Sequence, residues 1–141
     1  MPNIRQNDDG SFGIEGKDGG KGGFVKINIP YNASSVDSVN MVAARSYRVI
    51  DVRGRVEVAG TDAGAVTAAV KKAPSGTAIG SGTALHSSTF NLKGTAATNQ
   101  TLTLSTTSAD LDIAVGDSIG VDLTGTLTSA TGVLTITLAP A

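Results

Sequence analysis

Apolar and polar residues alternate with period two along most of this chain, and that alternation predicts β-strands rather than helices. Over residues 24–29, Val25, Ile27 and Ile29 fall on one face, while Lys26 and Asn28 share the other with Phe24. Pro30 is expected to stop this strand, because proline has no N–H to give to a ladder. The clearest run is 48–58: Ile50, Val52, Gly54, Val56 and Val58 fall on one face, and Asp51, Arg53, Arg55 and Glu57 on the other. A half-buried strand follows, with a bend or bulge expected at Gly54. Residues 33–45 carry no clear period and read either as a loop or as one short helical turn.

Further strands are expected over 65–72, over 84–92 with Leu85, Phe90 and Leu92, and over 101–105, where Thr and Leu alternate. Residues 111–115 lead into the turn dipeptide Gly116-Asp117. The run 118–123 points Ile119, Val121 and Leu123 inward, and residues 129–132 turn into a last strand over 133–138, with Pro140 beyond it. Seven to nine short strands with turn signals between them define an all-β fold. The expected architecture is an antiparallel β-sandwich, jelly-roll-like or immunoglobulin-like; periodicity does not separate the two. Helix should occupy under about a tenth of the chain, against a base rate near a third.

Composition sharpens this picture at the N-terminus. Residues 1–23 hold seven glycines interleaved with Asp8, Asp9, Glu15, Lys17, Asp18 and Lys21. Such a stretch loses much backbone entropy on ordering and has little apolar surface to offset it. It reads as a flexible Gly-rich arm, and residues 24–141 as a single sandwich domain. Leu, Ile, Val and Phe supply about 24% of the 141 residues, enough for a core, but with three Phe, two Tyr and no Trp the core is thin in aromatics. Small domains of this kind leave sheet edges to cover, so self-association as a homodimer or homotrimer is expected.

Charge and candidate chemistry mostly exclude. The net charge is −1, so no global field recruits nucleic acid or an anionic membrane. The start of the chain has no apolar core of a signal peptide, and no apolar run approaches the roughly 20 residues that span a bilayer. The expectation is a protein made in the cytoplasm, and the sequons Asn32-Ala33-Ser34 and Asn99-Gln100-Thr101 read as chance matches. With no Cys, Cys-ligated metal sites are excluded. The phosphate-loop pattern fails, because Gly16-Lys17 is followed by Asp18 and Gly20-Lys21 by Gly22, and a strand follows instead of a helix. A calcium loop aligned on Gly10 puts Arg5 at the first ligand and Gly16 at the bidentate Glu. His86, the single histidine, reads as a surface or loop residue rather than a catalytic one. Asp110, Asp112, Asp117 and Asp122 read as solvated positions rather than a carboxylate pair or calcium site. No catalytic residue, metal, cofactor or small-molecule substrate is therefore expected. Arg45, Arg48, Arg53 and Arg55 are the densest cations. Two readings of Arg53 and Arg55 stand: cross-strand ion pairs with Asp51 and Glu57, or contact with an acidic protein surface, for which the planar guanidinium fork is suited.

The segments 99–104, 109–126 and 132–138 resemble the closing strands of small jelly-roll proteins on tailed-bacteriophage heads, the head decoration or capsid cement proteins. The Gly, Lys and Asp leader before Phe24-Val25-Lys26-Ile27 is similar to their capsid-gripping arms. The resemblance spans about a hundred residues. It implies a non-enzymatic virion protein on the capsid exterior that binds the assembled shell of phage major capsid protein in many copies, as a symmetric oligomer. Arg5, Lys17 and Lys21 of the arm, with Arg53 and Arg55, are the candidate capsid-binding residues. The alternative is a sugar- or receptor-binding sandwich module of a phage tail or cell surface; the scarcity of aromatic rings and of targeting signals favours the first.

Overall fold

The computed structural model describes residues 5–6, 12–13 and 23–141. Strands β1 (Arg5–Gln6) and β2 (Phe12–Gly13) pair antiparallel as a ladder of their own. The remainder of the expected arm, with Lys17, Lys21 and the side chain of Arg5, lies outside the described residues.

Two antiparallel sheets make up the body. The first contains β3 (Val25–Tyr31), β5 (Tyr47–Val58), β9 (Thr98–Thr101), β10 (Asp112–Ile113) and β12 (Thr131–Pro140). The second contains β4 (Ser38–Val42), β6 (Thr67–Ala73), β7 (Thr83–Ala84), β8 (Phe90–Asn91) and β11 (Ser118–Thr124). Both short pairs share one partner: β9 and β10 lie in tandem along β5, and β7 and β8 along β6. Counting each tandem pair as one strand leaves eight, and the spatial orders become β3-β12-β5-β9/β10 and β4-β11-β6-β7/β8. That is 1-8-3-6 facing 2-7-4-5 in chain order, the double Greek key of a jelly roll. The only helical turns among the described residues are 3-10 turns at Ile79–Ser81 and Ser108–Leu111.

The core lies between the sheets. Ile27, Ile29 and Tyr31 of β3, Val49, Val52 and Val56 of β5, and Leu134, Ile136 and Leu138 of β12 face Ala68 and Val70 of β6 and Ile119 and Val121 of β11. Phe90 fills the middle, fully buried, with its ring edge-to-face on Tyr31 at 6.4 Å and 77°.

Several expectations are corrected. Pro30 lies inside β3, opposite Val133, and does not stop the strand. β3 is an edge strand, so the proline nitrogen can face away from β12 without breaking the ladder. Part of the stretch 33–45 is neither loop nor helical turn but the edge strand β4. The bulges in β5 are not at Gly54. The register against β12 slips at Ile50 and again at Glu57, which leaves Val49 buried while Ile50 and Val58 are 39% and 47% exposed. Each extra residue turns the strand so that its neighbour takes the inward place. Gly54 has another cause: a Cβ there would stand 2.5 Å from the Phe90 ring, so only glycine admits the largest of the fully buried side chains. The expected strand 84–92 is two short strands separated by an excursion, and the expected 101–105 strand runs over Thr98–Thr101 instead.

Candidate interaction surface

The outer faces of the two sheets differ. The 3-10 turn at Ile79–Ser81 folds over the second sheet, where a Cβ on Gly120 would stand 2.9 Å from Ile79. The first sheet carries a groove on its outer face. The strand register sets its rows: Thr101, Arg53, Thr135 and Asn28 lie side by side across four strands, and Asn99, Arg55, Val133 and Pro30 form the next row. Short Thr135 and Val133 on the central strand sit between longer neighbours, and the result is a groove of about 280 Å³ lined by Arg53, Arg55, Asn99, Thr101, Val133 and Thr135.

Among the described residues that line it, the charged ones both lie on β5. Arg53 Nε donates to Asp51 Oδ2 at 2.8 Å, and Arg55 Nε donates to Glu57 Oε1 at 2.8 Å. The expected cross-strand pairing is thus corrected: each partner is two residues away on the same strand, where alternate side chains share a face. Arg55 also reaches across to β9, donating from Nη1 to Asn99 Oδ1 at 3.2 Å. Exposed pairs of this kind contribute about 0–1 kcal/mol to stability, so their chief effect is to orient the guanidinium groups over the groove. Arg53 remains 66% exposed. Thr135 is held by a bond from its hydroxyl to Asn28 Oδ1 at 2.8 Å.

Other sequence candidates are dispersed. Arg48 pairs across strands with Asp112 at 2.6 Å and also donates to Ser108, tying β10 to β5. The four late aspartates do not converge. Asp110 accepts from the Ser105 hydroxyl, Asp117 accepts from the Ala114 N–H within its turn, and Asp122 pairs with Lys71 at 2.7 Å. Asp122 is half-buried rather than solvated. Among the described residues no three His, Cys, Asp or Glu side chains gather. His86 is not a surface histidine: it is 5% exposed, and burial pushes its pKa below the usual 6.5. Asn99, Thr101, Val133 and Thr135 were not legible as groove residues. Their outward phase is readable from alternation, but their neighbours depend on register between strands far apart in sequence.

A scan against protein-family models finds no match, and no curated protein sequence matches significantly. Among solved structures, a chain from the capsid of Ralstonia phage GP4 is similar over 84% of this chain and 83% of its own, with a TM-score of 0.53 and 14% identity. A chain from Bacillus endospore appendages, disulfide-linked pili, aligns over 82% and 83% with 19% identity, but its TM-score is 0.32. The first likeness is one of fold: the two-sheet architecture described above recurs in a phage capsid chain at an identity where sequence no longer tracks function.

Proposed function

We propose that this chain is a non-enzymatic virion structural protein that binds the outside of an assembled phage capsid and cements its major capsid protein subunits. The observation that carries the reading is the jelly-roll order of strands, shared in fold with a phage capsid chain over most of both lengths. The resemblance of the closing strands to head decoration proteins, the cement protein of a Bordetella phage among them in size, supports it from the sequence side. The grip combines the Arg53/Arg55 groove with the arm and its Arg5, Lys17 and Lys21. Guanidinium groups bonded through Nε to same-strand carboxylates keep outer nitrogens for acidic side chains on a shell surface, which a guanidinium fork suits.

Self-association completes the proposal. Val36, Val39 and Val42, at and just before the edge strand β4, are 72%, 53% and 64% exposed, an apolar strip that a second copy would cover. Joining copies multiplies avidity by roughly a hundredfold or more where geometry permits simultaneous engagement. A protein that binds the shell and not its free subunits stabilises the shell by about 2.7 kcal/mol per site at a hundredfold excess over Kd.

The test is deletion of residues 1–23 and, separately, Arg53→Glu with Arg55→Glu. Each variant should stay folded and be retained less on empty shells, and the shells should rupture at lower temperature than with the parent. If both variants decorate shells as well as the parent, the grip is not here; if parent and variants alike ignore shells and bind a glycan or receptor, the alternative module reading replaces this one.

A further inference from the structure

One edge of the sandwich depends on a histidine side chain acting in place of backbone. Strand β7 pairs Thr83 and Ala84 with Lys72 and Lys71, and β8 pairs Phe90 and Asn91 with Ala68 and Thr67. Between these pairings, residues 85–89 face only Ala69 and Val70, so the chain swings away from β6. It swings onto residues 103–105 instead: Ser87 N–H donates to the Thr103 carbonyl at 2.9 Å, Ser105 N–H donates to the Leu85 carbonyl at 3.0 Å, and His86 bridges Leu104. Because Leu102 N–H donates to Val52 of β5 at 2.9 Å, this excursion stitches the second sheet to the first.

Val70 lies at the point of departure. Its carbonyl still accepts from Leu85 N–H at 3.0 Å. Its N–H donates to His86 Nε2 at 2.8 Å, so the imidazole stands where a strand carbonyl would. The other ring nitrogen, Nδ1, lies 2.6 Å from the Ser88 carbonyl. An amide donor on Nε2 and a carbonyl acceptor on Nδ1 together admit one species, the neutral Nδ1–H tautomer.

We propose that His86 is an acid-operated latch. The neutral ring holds residues 83–91 against β6 and fastens one sheet to the other. Protonation at Nε2 sets a ring N–H against the Val70 N–H, removes that acceptor and lets this edge open while the rest of the sandwich stays folded.

The charged groups on neighbouring elements are engaged elsewhere. On β6, Lys71 bonds Asp122 and the Gly80 carbonyl, and Lys72 bonds the carbonyls of Ala109 and Asp112. On the 103–110 side, Asp110 accepts from Ser105. Desolvation by burial is the larger influence on the ring's titration and lowers it, while the hydrogen bond to the Ser88 carbonyl acts the other way. A His with a lowered folded-state pKa contributes stability that is complete above about 6.5 and is lost as pH falls through the folded value.

The experiment is residue-resolved hydrogen exchange on the full chain, read as protection factors, alongside the titration of the His86 ring protons by NMR. From about pH 7.5 to about pH 5, protection at Val70, Leu85, Ser87 and Ser105 should fall roughly tenfold or more, while Ile136 in the centre of β12 keeps its protection. The fall should track the ring's titration, with a midpoint below the ordinary histidine value. In His86→Gln, whose amide oxygen can accept from Val70 but does not titrate, the dependence should vanish. Constant protection at Val70 while the ring titrates would overturn the proposal, as would a ring titrating at or above the ordinary value. Equal loss at Ile136 would overturn it too, since that is global unfolding and not a latch.

Discussion

Gly54 shows how a single atom constrains the interior. The Phe90 ring occupies the space its Cβ would need, at 2.5 Å, in the middle of the core. Ring and backbone cannot both stay in place, so Gly54→Ala should cost about 1–3 kcal/mol, the range for overpacking a well-filled interior. Urea unfolding would measure it as a lower midpoint at unchanged slope. Gly132 is constrained in the same way by the Arg55 carbonyl and by the Tyr31 hydroxyl, 2.5 Å from its would-be Cβ. The Tyr31 hydroxyl is itself buried without a protein hydrogen-bond partner, and burial pushes its pKa up to about 12. An unbonded buried hydroxyl costs about 1–3 kcal/mol, so Tyr31→Phe should leave stability at neutral pH equal or higher. Alkali separates the two proteins further. The unfolded phenol ionises near 10 and the folded one near 12, so the parent loses stability as pH rises across that interval, and the Phe variant should lack that share of the loss. Identical alkaline slopes would show that Tyr31 does not titrate as its burial requires.

At the scale of elements, edges decide what is stable and what was legible. Pro30, with Lys26, interrupts the free edge of β3. Charge and proline at an edge oppose pairing between molecules. Pro30→Val should therefore leave the thermal midpoint within a few degrees while raising light scattering at high concentration; a variant as free of aggregation as the parent would mean that this edge needs no guard. Strands β3, β5, β11 and β12 were readable because one face of each is buried, which imposes period two on Val, Ile and Leu. Strand β4 was not: Ser38–Val42 lies at an edge with a register slip at Asn40, and its valines face outward. The bulges at Ile50 and Glu57 were equally illegible, since each is fixed by the partner strand β12 some eighty residues on. The groove followed the same rule. Arg53 and Arg55 stood out by charge, whereas Thr135 and Val133 acquire their place from register alone.

At the scale of the whole molecule, the jelly-roll order puts the two chain halves into both sheets, so neither sheet can form from a contiguous segment. β12 alone lies between β3 and β5, which closes the first sheet with the last strand. Pairings of such long sequence separation make folding slow relative to helical domains of the same size, in the millisecond-to-second range. The same arrangement leaves one broad face with an arginine-lined groove, while a 3-10 turn folds over the face opposite. The proposed cementing role is one of many copies acting on one particle, so its test belongs to the particle rather than to one chain. The most direct measurement is the protein content of genome-filled phage particles after gradient purification. The account predicts that this chain travels with the particles in numbers comparable to the capsomers and is released from them, still folded, at high salt in the Arg53→Glu, Arg55→Glu variant before the parent. Particles that band without it, or that carry it only in traces, would contradict the account.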